Sequence, residues 1–232
     1  MTPWYVIVWS SVGRKIVTAF TGLFLFLFIV IHLLANLELF NRNPIPFNSY
    51  ANFLEGLGIV IWILEALILL SFIFHIVVGG FVWFWKMRAR GGTYEVVTPA
   101  GPPSHKTFSS TSMILSGLVI AVFTTIHIIT MKYGPGVAQG YITSVNGVQM
   151  RDLYRLAIEV FRNKYWVIFY VAVMIVLFFH LRHAFWSGFQ SLGANNARLI
   201  PVLYGIGFVL AILLSMGFLL IPLWIYFRRG VS

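Results

Sequence analysis

The stretch YWVIFYVAVMIVLFFHLRHAFWSGFQSL, Tyr165–Leu192, decides how the chain folds. As a helix, its apolar run can cross a bilayer core of about 30 Å, which takes roughly 20 residues. One histidine, His180, nevertheless lies well inside the run. Because an imidazole in hydrocarbon is costly without a partner, such a residue marks a functional site.

The composition predicts an all-α integral membrane protein. Hydrophobic residues make up 59% of the 232 residues and charged residues 9%, which is far from the balance of a water-soluble domain. We expect residues 1–232 to form a single domain whose five transmembrane helices are a bundle. These helices, spans one to five, are predicted at about residues 17–40, 58–85, 110–131, 165–189 and 199–227.

The net charge and the absence of cysteine argue against several classes of partner and cofactor attachment. The net charge of +10 lies mostly between the apolar runs, which suits anionic headgroups and acidic partner surfaces better than nucleic acid. With no cysteine, the chain can neither attach haem through C-x-x-C-H nor ligate an iron-sulfur cluster. Any haem bound here is therefore held non-covalently.

The connections between spans differ in character. Residues Met1–Gly13 are predicted as an interfacial lead-in, and Asn41–Gly56 as an irregular connection rich in Pro and Asn. Further on, the run RDLYRLAIEVFRNKYW, Arg151–Trp166, places apolar residues between charged ones. It predicts a short helix on the membrane surface.

Four spans each carry one histidine late in the run: His32, His75, His127 and His180. Spans one and three cross in the same direction, so His32 and His127 lie at similar depth, towards the side away from the N-terminus. Spans two and four cross the other way, which places His75 and His180 towards the N-terminal side. At about 1.5 Å per residue, the two levels differ by on the order of 10 Å.

Two stacked sites, each with one imidazole from each of two helices, are what bis-histidine haem requires. Two axial imidazoles leave no open position on the iron, so such a haem carries electrons. An internal repeat supports the pairing, because TGLFLFLFIVIHLL, Thr21–Leu34, aligns with SGLVIAVFTTIHII, Ser116–Ile129. The shared Gly22 and Gly117 lie at the depth of the other pair, where a missing side chain allows close approach.

Two other interpretations of the histidines stay open. They could be hydrogen-bonded core residues, although one in each of four helices, sorted by depth, argues against that. Zinc would require nearby acidic or cysteine ligands, or a third histidine.

The sequence resembles the five-helix, dihaem membrane anchor, of the cytochrome b558 type, of succinate dehydrogenase and related fumarate reductases. The resemblance covers most of the chain and rests on VGRKIVTAFTGLFLFLFIVIHLLANLELF, FNSYANFL, FHIVVGGFVWF, IHIITMK and FHLRHAFWSGFQSLG. It implies that His75 and His180 ligate a haem b proximal to an iron-sulfur subunit, and that His32 and His127 ligate a distal haem b. The side chains of Arg14, Lys15, Arg182 and His183 are expected at the haem propionates or at this interface.

The resemblance also implies partners and a location. A flavoprotein with FAD and an iron-sulfur subunit would be separate chains, and the anchor would pass electrons to a quinone, menaquinone being the expected type. The N-terminus would be cytoplasmic in a multi-pass protein of the cell inner membrane, where the complex could form a higher oligomer. The iron-sulfur subunit is expected to dock on Arg88, Arg90, Lys106, Arg182 and Arg198, which only Glu95 opposes.

Polar residues near the distal level are the candidates for quinone binding: Asn36, Glu38, Asn48, Tyr50 and Glu65. Glu65, the single acid well inside a span, could accept a proton from a quinone or be a hydrogen-bonded protonated carboxyl. A dihaem subunit of hydrogenase or formate dehydrogenase type remains an alternative, although it would typically place two ligands on one helix. A haem-free membrane scaffold is the other alternative.

Overall fold

The computed structural model describes residues 3–89, 112–145, 147–194 and 196–228. Within those ranges, five helices are long and apolar enough to cross a membrane, which confirms the predicted all-α, multi-pass architecture. The spans comprise Ser11–Phe40, Ile59–Arg88, Met113–Lys132, Lys164–Ser191 and Leu199–Phe227. The first predicted residues of span three, 110 and 111, lie outside the described residues.

The ends of the spans follow from local chemistry. Span one begins six residues earlier than predicted, because the Ser10 hydroxyl accepts from the Gly13 amide at 3.0 Å and caps it. Its α-helical part, Ser11–Asn36, continues as a 3₁₀ turn, Leu37–Phe40. The Asn163 side chain caps span four through the Tyr165 amide, and span three ends in a π-helical turn, Ile128–Lys132.

Spans one to four form a ring in which one packs against two, two against three, three against four and four against one. Span five packs outside the ring, against spans four and one. Span two is apolar except for Glu65, Ser71 and His75 before its basic last turn, and Val78 is buried. In this arrangement spans one and three face each other diagonally, and so do spans two and four.

A folded cap lies on the side where span one ends, here called the far side. It contains a connecting helix, Ile45–Gly56, a hairpin of strands Ile142–Val145 and Val148–Arg151, and an amphipathic helix, Leu153–Arg162. The connecting helix corrects the prediction of an irregular connection, since Pro46 falls at its first turn, where proline is favoured. A helix Trp4–Trp9 likewise lies within the predicted lead-in.

The amphipathic helix confirms the predicted helical segment, but its buried face differs from a simple alternation of apolar and charged residues. Tyr154, Leu156, Ala157 and Phe161 are buried, and the intervals of three and four residues between Tyr154, Ala157 and Phe161 follow the helical period. This helix packs against the connecting helix and against spans four and five.

Candidate functional site

Four of the five histidines in the spans form two diagonal pairs across the ring, and the fifth is His183 of span four. The ring centres of His32 and His127 are 5.8 Å apart, with an interplanar angle of 85°. Those of His75 and His180 are 6.4 Å apart, at 74°. These are the pairs that depth predicted from the sequence, one on the far side and one on the N-terminal side.

The Nδ1 atoms of three of these rings have partners on neighbouring spans. His75 Nδ1 is 3.1 Å from the Thr18 carbonyl oxygen and 3.4 Å from the Thr21 hydroxyl. Nδ1 of His180 is 3.1 Å from the Ser116 hydroxyl, and that of His127 is 3.0 Å from the Tyr170 hydroxyl. Because the second ring nitrogen orients a ligating histidine, these contacts leave Nε2 for a metal.

The two glycines of the repeat lie against the N-terminal-side pair. A Cβ atom on Gly22 would be 2.8 Å from Cε1 of His75, and one on Gly117 would be 3.4 Å from Cε1 of His180. Each glycine precedes its own span's histidine by ten residues, which along a helix is about 15 Å. That is the separation of the two levels, measured along spans one and three.

Aromatic rings surround the far-side pair. Phe28 stacks on His32 at 5.3 Å and 24°, one helical turn away, and Phe123 stacks on His127 at 5.6 Å and 20°. Phe218 of span five lies 5.8 Å from His32. The surroundings of this pair are therefore mostly apolar.

Three buried nitrogens on the N-terminal side have no hydrogen-bond partner among the described residues: Arg14 Nε, Arg182 Nε and His183 Nδ1. Another nitrogen of Arg182 donates to the Tyr204 hydroxyl at 2.9 Å, and the His183 ring contacts Trp186 edge-on. Lys15 is exposed. Because a buried donor without an acceptor is costly, the three nitrogens favour an anionic ligand at this side.

The residues predicted to bind quinone differ in their exposure and in their hydrogen-bond partners. The Asn36 amide donates to the His32 carbonyl oxygen at 2.7 Å, Glu38 is exposed on the 3₁₀ turn, and Tyr50 is exposed on the connecting helix. Glu65 pairs with Lys132 at the end of span three. Its partner is therefore a cation on the neighbouring span.

Asn48, the remaining quinone candidate, is only 1% exposed. The amide donates to the Asp152 carboxylate at 2.8 Å and accepts from the Tyr154 backbone N–H at 2.9 Å. It joins the connecting helix to the amphipathic helix, so its polar atoms serve the protein's own packing.

The described part of the chain has no group of three or more His, Cys, Asp or Glu residues able to hold an ion. Zinc would need such a group. The chain gives no significant match to family models, to curated proteins or to solved structures.

Sequence reasoning missed the groups that hold the imidazoles: Thr21, Ser116 and Tyr170. For the first two a signal existed, since a hydroxyl residue precedes the glycine in both copies of the repeat. No pattern in the sequence joins Tyr170 to His127, 43 residues away.

Proposed function

We propose that the chain is the dihaem cytochrome b subunit of a succinate:quinone oxidoreductase, anchoring the flavoprotein and iron-sulfur subunits in the membrane. The observation that carries the proposal is the presence of two interhelical imidazole pairs at two levels of one bundle. Four unrelated core histidines would have no reason to pair diagonally. The sequence resemblance then selects this complex among those that use such a subunit.

The spacing of the rings fits a metal between them. Two metal–imidazole bonds of about 2 Å each, extended by roughly 1 Å to each ring centre, require a separation of roughly 6 Å. The observed separations are 5.8 and 6.4 Å. His32 with His127, and His75 with His180, would each hold one haem b, which when bound supplies one-electron transfer.

The rest of the site fits two amphipathic macrocycles. Gly22 and Gly117 remove side-chain volume beside the N-terminal-side pair. The unpartnered nitrogens of Arg14, Arg182 and His183 would bind propionate carboxylates. Around the far-side pair, stacked phenylalanines exclude water.

The proposed partners meet the N-terminal side. Within the described ranges, the acidic residues lie at or near the far side: Glu38, Glu55, Glu65, Asp152 and Glu159. The described cations of the N-terminal side include Arg88, Arg182 and Arg198, while Arg90, Glu95 and Lys106 lie outside the described residues. An iron-sulfur subunit with an acidic surface would dock there.

Quinone reduction is proposed at the far-side level, beside Asn36, Glu38, Tyr50 and the Glu65–Lys132 pair. Electrons entering from the N-terminal side would cross both levels to reach it. Turnover would then respond to membrane potential, since moving one charge through 100 mV is worth about 2.3 kcal/mol. An uncoupler should suppress succinate:quinone activity in sealed vesicles, while equal rates would favour a site beside Arg14, Lys15 and Trp186.

The primary test is haem content. The purified chain, expressed with haem supply, should contain two low-spin haems b. His75→Ala and His180→Ala should lose one spectral component, and His32→Ala and His127→Ala the other. His105→Ala, which changes a histidine that belongs to neither proposed pair, is the control. A parent protein without a Soret band would support a haem-free scaffold.

A further inference from the structure

Each copy of the internal repeat places a hydroxyl against a histidine of the next span along the chain. Thr21 and Ser116 occupy equivalent positions, each followed by a glycine. The Thr21 hydroxyl of span one reaches His75 of span two, and the Ser116 hydroxyl of span three reaches His180 of span four. Both imidazoles of the N-terminal-side pair are therefore approached by a hydroxyl–glycine dipeptide from the neighbouring span.

The hydrogen-bond directions at His75 are fixed by what each partner can do. The Thr18 carbonyl oxygen, 3.1 Å away, can only accept. His75 Nδ1 must therefore carry the proton. The Thr21 hydroxyl gives its own proton to the Val17 carbonyl at 2.7 Å, so it too is left as an acceptor.

The same reasoning applies at His180. The Ser116 hydroxyl donates to the Met113 carbonyl oxygen at 3.1 Å. Having one proton, it accepts from His180 Nδ1, also at 3.1 Å. Ser116 is buried, so water does not compete for this contact.

We propose that Thr21 and Ser116 are positioning residues that hold His75 and His180 in the Nδ1–H tautomer and keep both Nε2 lone pairs available for ligation. This inference rests on the proposed function and deepens it. A partner that accepts from Nδ1–H raises the basicity of a ligating imidazole. The two hydroxyls would therefore lower the reduction potential of a haem held by His75 and His180.

Removing the Thr21 hydroxyl and removing the Ser116 hydroxyl should affect the haem site to different extents. His75 keeps the Thr18 carbonyl if the Thr21 hydroxyl is removed, and the Thr21 contact is longer, at 3.4 Å. At His180 the Ser116 hydroxyl is the acceptor that fixes the tautomer. Removing Ser116 Oγ should therefore have the larger effect.

The test is an optical redox titration of the purified, haem-loaded protein, together with haem titration of the apoprotein. Ser116→Ala should raise the potential of one component and weaken haem binding at that site about 10- to 100-fold. His75→Ala identifies the component. Thr21→Val, which keeps the volume, should shift the same component less.

Two further variants separate a hydrogen bond from mere space filling. Ser116→Thr restores the hydroxyl but enlarges a buried side chain, so a hydrogen-bonding role predicts that it resembles the parent more closely than Ser116→Ala does. A space-filling role predicts the reverse order. The control is Thr125→Val on span three, whose exposed hydroxyl donates to the Ala121 carbonyl and which should change neither potential.

The outcomes distinguish the inference from the proposed function. Two haems with unchanged potentials in Ser116→Ala would overturn the assignment of the hydroxyls alone. Loss of haem in Ser116→Ala that Ser116→Thr does not reverse would overturn it too. A parent protein that binds no haem would overturn the proposed function, and this inference with it.

Discussion

Nη2 of Arg151 lies 2.9 Å from the carbonyl oxygen of Met131, so the last residue of the hairpin closes the end of span three. The same guanidinium donates to the carbonyls of Lys132, Gly134 and Pro135. A helix leaves its last carbonyls without partners of its own. Arg151 donates hydrogen bonds to these carbonyls, and thereby fixes the span that carries His127 to the far-side cap.

Arg151→Met should therefore destabilise the protein by at least about 2 kcal/mol, because hydrogen bonds to charged groups contribute roughly 1.5–3 kcal/mol. Thermal unfolding in detergent measures the effect. The control is Arg162→Met, an exposed cation at the end of the amphipathic helix. An equal loss of thermal stability in Arg151→Met and Arg162→Met would contradict the role of Arg151.

Gly22→Ala should displace the His75 imidazole. The added Cβ would lie 2.8 Å from Cε1, closer than carbon atoms pack, whereas the Cβ of Gly117→Ala would lie 3.4 Å from Cε1 of His180. Gly22→Ala is expected to lose the N-terminal-side spectral component and Gly117→Ala to retain most of it. Gly80→Ala on span two, which has open space around it, is the control. Equal retention in Gly22→Ala and Gly80→Ala would show that the approach of Gly22 to His75 is not needed.

The sequence predicted the five spans and the diagonal histidine pairs because both depend on local properties, run length and depth along a run. The connecting helix and the hairpin also had local signals that were missed. Pro46 favours a helix start, and the dipeptide Asn146-Gly147 favours a hairpin turn.

The burial of Asn48 could not be predicted in this way. Its partner Asp152 is 104 residues distant, so the contact exists only once the cap has folded. The Glu65–Lys132 pair likewise depends on how spans two and three are aligned. An acid early in one span gives no local sign of a cation at the end of the next.

A pH-sensitive cluster holds the hairpin to the amphipathic helix. The Tyr141 hydroxyl donates to the Glu159 carboxylate, which also accepts from Arg155 at 2.8 Å. The hydrogen bond from Tyr141, followed by that from Arg155, lowers the pKa of Glu159 below its usual 4.5. The contribution of Glu159 to stability is therefore complete above about pH 4.5 and is lost as the pH falls through the lowered pKa.

Glu159→Gln should remove this acid-dependent part of the stability. The melting temperature of the parent should fall more steeply than that of the variant as the pH decreases below 4.5. Tyr141→Phe removes the hydrogen bond from Tyr141 but keeps the one from Arg155, so it should flatten the acid profile in part. Parallel acid profiles of the parent and both variants would argue against the cluster.

Charge reversal at the N-terminal side tests the proposed partner surface. Arg88 is exposed at the end of span two, and Arg198 is exposed just before span five. Arg88→Glu with Arg198→Glu should repel an acidic iron-sulfur subunit and release a soluble dehydrogenase that still oxidises succinate with an artificial acceptor. The release should require less salt than in the parent, because salt screens the attraction that remains. Arg42→Glu with Arg162→Glu makes the matched double reversal at exposed positions on the far side and should retain the dehydrogenase on the membrane. If the N-terminal-side and far-side variants both retain the dehydrogenase, the partner docks elsewhere. If both release it equally, net charge rather than this surface controls the association.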